Sequence, residues 1–211
     1  MEFNRTEIES LEKIKRLNLI NSITGIKPAN LIGTKSQEGH ENLAIFSSIV
    51  HLGSNPALIG CVTRPVGEVP RHTYKNIIDT GVYTVNALPI SMVKNGHYTS
   101  AKFELNESEF EACGFTPTYI RDFKAPFVME SPIQIGLKLA EEVHLTINDT
   151  RLLVGQIELL KIADEVISPE GYLDLDHANI AGISGLNSYY GLQKKADFPY
   201  ARKSEWAIED K

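Results

Sequence analysis

The sequence has few cysteines: only Cys61 and Cys113 occur among its 211 residues. Two cysteines without a recognisable spacing supply neither a disulfide framework nor the ligand set of a zinc site. Cys61 lies within an apolar, strand-like run, which is typical of a buried thiol. The fold must therefore be stabilised by an ordinary hydrophobic core, and a chain of this length is long enough to bury one.

The sequence also lacks long apolar runs and an excess of positive charge. No run approaches the length of a membrane-spanning helix, and the charged N-terminal stretch has no apolar signal core. The formal net charge of −6 disfavours a general nucleic-acid partner. We therefore expect a cytoplasmic protein that binds neither membranes nor nucleic acid.

Several motifs of common enzyme classes are missing. No Gly-x-Gly-x-x-Gly follows a strand, which disfavours a Rossmann nucleotide site, and no Gly-x-Ser-x-Gly indicates a hydrolase. No two histidines have the spacing of metal ligands on one element, so we expect no metal site. The six histidines are His40, His51, His72, His97, His144 and His177.

Short strand-like runs separated by turns dominate the chain. Residues 30–35, 42–50, 56–63 and 82–88 have this character, and residues 133–147 and 152–162 form a hairpin around Asn148-Asp149-Thr150. The early strands read as an antiparallel meander. The sequence therefore predicts a mainly β fold with short helices, arranged as a closed or partly closed antiparallel barrel.

An amphipathic helix is predicted before the strands. Thr6 and Glu9 have the spacing of a capping box, and apolar residues recur along one face up to about Ile20. This helix either packs on its own domain or lies across a partner subunit. We expect residues 1–28 to form this helix and a linker, and residues 29–211 to form one domain with an irregular C-terminal extension.

The most informative segment is residues 64–81, which predict a short helix that begins near Arg71 and His72 and is ended by Gly81. Arg64 precedes it, and Arg71 and His72 stand at its first turn, where a helix prefers acidic side chains. A bound phosphate over the free N–H groups would make this charge pattern favourable. Thr73 and Asn76 would add neutral donors. In the alternative interpretation the cationic side chains simply point into water.

Three sequence blocks together resemble the flavin reductase-like family, the FMN-binding split barrels. They are residues 39–48 followed by Asn55-Pro56, residues 64–86 with the Val85-Asn86 pair, and residues 109–115. No single block is specific, but their order and spacing are characteristic. The resemblance covers about residues 29–163 and implies an antiparallel split β-barrel.

The resemblance also implies a flavin site. It places the FMN phosphate at Arg64, His72, Thr73 and Asn76, and His97 where the chain passes close to the flavin. It places the isoalloxazine ring along a strand formed by Ala44, Ile45, Phe46, Ser47 and Ser48. Taken alone, Ser47 and Ser48 could merely end a strand, and His97 could be an ordinary loop histidine.

One departure from the family bears on function. Many NAD(P)H-dependent members have a Gly-Asp-His turn in the late hairpin, whereas this chain has Asn148-Asp149-Thr150. His144 lies six positions before Thr150, and as a strand residue it is expected to point elsewhere. The absent histidine favours a flavoredoxin-like branch of the family, in which bound flavin passes electrons on.

The sequence leaves three functions open. The first is an FMN-dependent oxidoreductase that uses NAD(P)H to reduce flavin or a small acceptor. The second is a non-enzymatic electron carrier with a redox partner protein, and the third is a split barrel without flavin. The family resemblance further implies a homodimer with flavin sites near the subunit interface. Tyr189 and Tyr190 could cover the flavin or the partner subunit, or they could be core or interface aromatics that need no cofactor.

Overall fold

The computed structural model describes residues 1–65, 67 and 71–203. The helices are α1 (Arg5–Ser10), α2 (Lys13–Ser22), α3 (His72–Thr80), α4 (Val93–Tyr98) and α5 (Glu109–Ala112). The strands are β1 (Lys27–Pro28), β2 (Asn30–Lys35), β3 (Glu41–Phe46), β4 (Ile49–Ser54), β5 (Ala57–Thr63), β6 (Val82–Ala87), β7 (Pro117–Thr118), β8 (Phe127–Val128), β9 (Ile133–Leu145), β10 (Thr150–Ile162), β11 (Ala181–Ser184) and β12 (Ser188–Gly191).

The main sheet is antiparallel and has the strand order β3-β2-β6-β9-β10-β5-β4. Its two edge strands, β3 and β4, are consecutive in the chain and are separated only by Ser47 and Ser48. So short a connection requires the sheet to curl until its edges approach each other. The predicted mainly β, antiparallel split barrel is confirmed.

The prediction of one continuous strand over residues 42–50 is wrong, and so is the simple meander. The chain bends at Ser47-Ser48, and β3 and β4 pair with different neighbours. The bend is stabilised by the Ser48 hydroxyl, which donates to the carbonyl of Val62 over 2.8 Å. Apolar residues precede and follow the two serines directly, so the sequence pattern does not reveal the bend.

The barrel interior is filled by side chains from most strands of the main sheet and from α3. This cluster comprises Ile32, Cys61, Ile77, Tyr83, Val85, Leu137 and Leu153. A second cluster lies outside the barrel, between β2, β3 and the segment that carries α4 and α5. Burying a large apolar side chain contributes about 1.5–3 kcal/mol, so the outer cluster holds these helices firmly on β3.

The N-terminal helix is interrupted, which corrects the prediction of one helix over residues 6–20. The capping box is formed by Asn4 and Glu7, not by Thr6 and Glu9, and α1 ends before Leu11. The carboxylate of Glu12 then accepts from the backbone N–H groups of Ile14 and Lys15 and begins α2. Neither helix has a buried residue.

Within the described residues, no helix combines the length and apolarity needed to cross a bilayer.

A small sheet of order β1-β11-β12 is joined to the main sheet. Ala29 donates its N–H to Ala181 over 3.1 Å, and Ala181 donates to Leu88 over 2.8 Å. The C-terminal extension therefore contains two ordered strands rather than only irregular chain. This sheet brings Tyr189, on β12, to the outer apolar cluster beside β3.

Gly33 provides a test of this packing. A Cβ atom at Gly33 would lie 2.2 Å from the carbonyl oxygen of Pro126 and 2.6 Å from Thr84 Oγ1. We expect Gly33→Ala to lower the free energy of unfolding by about 2 kcal/mol or more, because backbone must shift to admit the methyl group. Urea unfolding followed by circular dichroism measures the change.

The matched control is Gly191→Ala in β12. A Cβ atom there meets only Ile90 Cδ1 at 3.5 Å, which is ordinary contact. We expect a change within about 0.5 kcal/mol. Equal stability of the two variants would contradict the close approach at Gly33.

Candidate functional site

On the outer edge of β3, Glu109 covers the backbone of Leu43, and the edge is open beyond that residue. Leu43 donates its backbone N–H to Glu109 Oε2 over 3.0 Å, so this N–H points away from β2. Backbone groups alternate in direction along an edge strand, so the N–H and C=O of Ile45 point outward as well. Residues 44–48 are all half-buried. The strand that sequence analysis assigned to the flavin ring thus presents backbone hydrogen-bonding groups.

The side chains of the five predicted ring-binding residues do not share one direction. Ile45 packs against the outer cluster, whereas Phe46 packs against the barrel interior. Ser48 uses its hydroxyl proton within the bend. No described residue hydrogen-bonds the Ser47 hydroxyl, so this group is free to bind a ligand. A planar ligand on this edge would therefore meet mainly the backbone and Ser47.

Helix α3 begins and ends where the sequence predicts, and its N-terminus is unusual. Its N-cap is Arg71, with no side-chain hydrogen bond to the first turn and no acidic residue there. Its C-cap is Gly81, with a φ of 72°. The positive end of the helix dipole is left uncompensated by the described residues, which suits an anionic ligand.

A buried polar cluster fixes the first turn of α3 to the start of β3. Asn42 Nδ2 donates to Thr73 Oγ1 over 3.0 Å and to Thr34 Oγ1 over 3.3 Å. Asn76 Nδ2 donates to Thr34 Oγ1 over 3.1 Å. Asn76 is only 2% exposed, so its amide holds the helix in place. Thr73 accepts from Asn42 and keeps its hydroxyl proton for another partner.

A second chain of contacts brings Arg64 to the same end of the barrel. Tyr74, in the first turn of α3, donates to Glu142 Oε1 over 2.7 Å. Glu142 pairs with Arg151, whose position in β10 is directly opposite Thr63. Arg64 follows Thr63 at the end of β5. The structure therefore places Arg64 at the end of the barrel that carries the first turn of α3.

The cationic groups at this end are not neutralised. Among the described residues, no carboxylate forms an ion pair with Arg64, Arg71 or His72. Arg64 and Arg71 are exposed, and His72 is half-buried. The prediction of an anion site rested on these residue types, and the geometry adds an uncapped helix start beside them.

His97 lies towards the opposite end of β3. It stands on α4, which packs against β3, and its Nδ1 is 3.2 Å from the hydroxyl of Tyr189. Sequence analysis singled out both residues but did not predict that they touch. They are 92 positions apart, and only the small sheet brings them together.

The sequence suggested that His144 points away from the hairpin turn, but in the structure His144 contacts the turn. Its Nε2 lies 2.6 Å from Asp149 Oδ1, which Arg151 also contacts at 2.9 Å. Hydrogen bonds from Arg151 and then His144 lower the pKa of the Asp149 carboxyl. A histidine therefore stands beside the turn although the turn itself contains none.

The sequence did not predict that Glu109 has a structural role. It is 6% exposed, and burial raises the pKa of its carboxyl group although the Leu43 N–H opposes the shift. The only sequence signal was its place in a family-like block. No group of three or more histidine, cysteine or acidic side chains in the described chain could hold a metal ion.

The raised pKa of Glu109 predicts a pH dependence of stability. The folded protein retains this proton at higher pH than the unfolded chain, whose glutamate pKa is about 4.3. The stabilising contribution is therefore complete below that value and is lost as the pH rises through the raised pKa of the folded state. The Glu109→Gln variant should lack this loss, because its amide oxygen still accepts from Leu43.

Urea unfolding at a series of pH values measures the effect. The free energy of unfolding of the wild type should decline relative to that of Glu109→Gln as the pH rises above about 4.3. Glu111→Gln, an exposed change on the same helix, should follow the wild type. Parallel pH profiles for the wild type and Glu109→Gln would contradict the assignment.

Known proteins share this fold and sequence pattern. A structure from Shewanella frigidimarina, named as a candidate flavin reductase with a split barrel domain, is 45% identical with a TM-score of 0.91 and covers 95% of this chain and 100% of that one. Nitrilotriacetate monooxygenase component B from Bacillus cereus is 21% identical with a TM-score of 0.83, covering 94% and 98%. Flavoredoxin of Desulfovibrio vulgaris is 21% identical with a TM-score of 0.72, covering 83% and 92%.

The last two similarities, below 25% identity, establish the fold alone. The family described as flavin reductase like domain matches residues 26–178, which is most of the chain. This range includes β3, the bend at Ser47-Ser48, α3 and α4. The chain belongs to the flavin reductase-like domain family.

Proposed function

We propose that this protein binds FMN along the open edge of β3 and acts as an oxidoreductase through it. The observation that carries the proposal is the uncapped, cationic start of α3, fixed by Asn42 and Thr73 to the strand whose edge is open. An anion site and a surface for a planar ring are thereby joined by one strand. Membership of the flavin reductase-like family supports the same assignment.

The phosphate would bind at the first turn of α3. The negative charge of the phosphate complements the helix dipole and the side chains of Arg64 and His72, which form no ion pair with a described carboxylate, and the Thr73 hydroxyl can donate to it. Asn76 contributes by holding the helix against β2, since it is too buried to be a direct ligand. These residues would fix one end of the cofactor.

The ring would bind where β3 approaches the bend. Asn42 and Ile45 are separated by about 10 Å along a strand that rises ~3.4 Å per residue, which leaves room for the ribityl chain. The outward N–H and C=O of Ile45 and the hydroxyl of Ser47 can bond the polar edge of the ring. Backbone around Ala44, Phe46 and Ser48 shapes this surface, and His97 stands beyond it.

Bound FMN would supply the redox chemistry, namely hydride and electron transfer. The protein's contribution is to bind and orient it. N–H donors fixed in a partly dry site stabilise negative charge on a neighbouring oxygen without having to reorient. We propose NAD(P)H as the hydride donor and free flavin or a small molecule as the acceptor.

An electron-carrier function is the second candidate. The Asn148-Asp149-Thr150 turn favours it, because it lacks the histidine of the nicotinamide-dependent pattern. In this case a redox partner protein would reduce or oxidise the bound flavin. The presence of His144 beside Asp149 favours the first candidate, so reduction by nicotinamide separates the two functions.

We further propose that the protein is a homodimer. The N-terminal helices have no buried residues, and α2 leaves several large apolar side chains exposed. These are Ile14, Leu17 and Ile20, with Ile23 just after the helix. Apolar side chains at helical spacing suit packing across a second copy of the chain.

The phosphate assignment predicts a selective loss in Arg64→Ala. Its dissociation constant for FMN should rise about tenfold or more, as expected for removing a charge-assisted contact worth 1.5–3 kcal/mol. Riboflavin lacks the phosphate, so its affinity should not change. Quenching of flavin fluorescence on titration with protein measures both constants.

Arg5→Ala is the matched control, since Arg5 is an exposed arginine whose ion pair is with Glu9 on α1 and not with a residue of the proposed site. It should bind FMN as the wild type does. An equal loss of FMN and riboflavin affinity in Arg64→Ala would place Arg64 at the ring, and unchanged FMN affinity would remove it from the site.

The oxidoreductase assignment predicts that FMN-loaded protein loses its visible absorption when NADH or NADPH is added under anaerobic conditions. Reduction by either nucleotide, followed by reoxidation with free flavin, would identify the enzyme. Persistent absorption with both nucleotides, combined with reduction by dithionite, would indicate the electron carrier.

A further inference from the structure

Two side chains from distant parts of the sequence form a hydrogen-bonded pair beyond the ring-binding part of β3. His97 Nδ1 lies 3.2 Å from the hydroxyl of Tyr189. The two rings are perpendicular, with centroids 5.9 Å apart and an interplanar angle of 89°. This geometry combines a hydrogen bond with an edge-to-face contact, so the orientation of the imidazole is restricted.

The backbone that carries His97 is also held closely. Asn95 Nδ2 donates to the carbonyl of Cys113 over 2.7 Å. Gly96 packs against Leu88 so tightly that a Cβ atom would lie 2.7 Å from Leu88 Cδ1. These contacts fix Asn95 and Gly96, which precede His97, and the hydrogen bond with Tyr189 fixes the His97 side chain.

The Tyr189 hydroxyl is placed to set which ring nitrogen of the His97 imidazole carries the proton. Burial raises the pKa of the Tyr189 hydroxyl, so the group stays protonated at neutral pH and can donate to Nδ1. A neutral imidazole that accepts at Nδ1 carries its proton on Nε2. No group in the described part of the chain hydrogen-bonds His97 Nε2, so this donor is left for a ligand.

The pair stands next to the open strand edge. Tyr189 and Ile45 pack against the same outer cluster, and α4 contacts β3 directly. Tyr189 lies on β12 of the small sheet, which starts at β1 just before Asn30, and Asn30 pairs with Phe46 at the end of β3. The buried Asn42–Thr73 contact marks the phosphate end of β3, and Ile45 lies nearer the other end. His97 is thus on the side of the proposed ring, away from the proposed phosphate.

We propose that His97 is a flavin-ring ligand that donates from Nε2, and that Tyr189 is the positioning residue that fixes its tautomer and orientation. This inference rests on the proposed function, since it concerns the same cofactor site. It adds a residue from the C-terminal small sheet to that site.

The first experiment needs no flavin. The nitrogen chemical shifts of imidazole, measured by NMR on the apoprotein, report the tautomer of His97. The wild type should show the Nε2–H form, and Tyr189→Phe should shift towards a mixed population because only the hydroxyl is removed. Tyr190→Phe and Tyr98→Phe should leave His97 unchanged, since neither tyrosine hydrogen-bonds it.

The second experiment measures flavin binding in a double-mutant cycle. His97→Gln should weaken FMN and riboflavin equally, by about fivefold to tenfold for one lost hydrogen bond. Tyr189→Phe should weaken both flavins by a smaller factor. In the His97→Gln background, Tyr189→Phe should have no further effect, because a positioning residue acts only through its partner.

Each outcome bears on a definite part of the proposal. An unchanged tautomer in Tyr189→Phe, or additive losses in the double variant, would overturn the positioning role. Full flavin affinity in His97→Gln would overturn its role as a ligand while leaving the proposed function intact. Failure of the wild type to bind either flavin would overturn the proposed function, and the ligand role of His97 with it.

Discussion

The connection between β3 and β4 is the constraint on which the rest of the structure depends. These strands form the two edges of a seven-stranded sheet, and only Ser47 and Ser48 join them. The sheet must therefore roll into a barrel, with the Ser48 hydroxyl bonded to Val62 across the bend. Closure at the bend is local, so β3 keeps an edge whose backbone groups pair with no further strand in the described part of the chain. That unpaired edge is what makes this strand, among those of the main sheet, suitable for a flat polar ligand.

A buried set of amides and hydroxyls connects this edge to the proposed anion site. Asn42, Thr34, Thr73 and Asn76 satisfy one another in a region from which water is largely excluded. Buried polar groups must be paired to be tolerated, so the arrangement specifies one position of α3 on the barrel. A shift of the helix would leave several of these groups unpaired. The distance between the helix start and the strand edge is therefore fixed before any ligand arrives.

Local charge, rather than the overall charge, determines the ligand that this end of the barrel favours. The chain carries a net charge of −6, yet no described carboxylate neutralises Arg64, Arg71 or His72. Elsewhere in the same region Arg151 is neutralised by Asp149 and Glu142. One basic side chain thus supports the structure while its neighbours remain available to an anion. At the other end of β3, the proposed partner of the ring is the imidazole of His97, which the hydroxyl of Tyr189 contacts.

The sequence by itself determined the antiparallel barrel, the bounds of α3 and the residue types of its basic start, because these depend on local alternation, turn residues and charge. It also determined the family, through the order of three short blocks. Only the tertiary structure decided that residues 42–50 are two strands, that Asn76 faces inward and that His144 stands beside Asp149. It alone decided that Tyr189 meets His97, and that Glu109 covers Leu43 while Ile45 stays open. These contacts join residues far apart in the chain, and the packing that brings them together leaves no periodic signal in a single sequence.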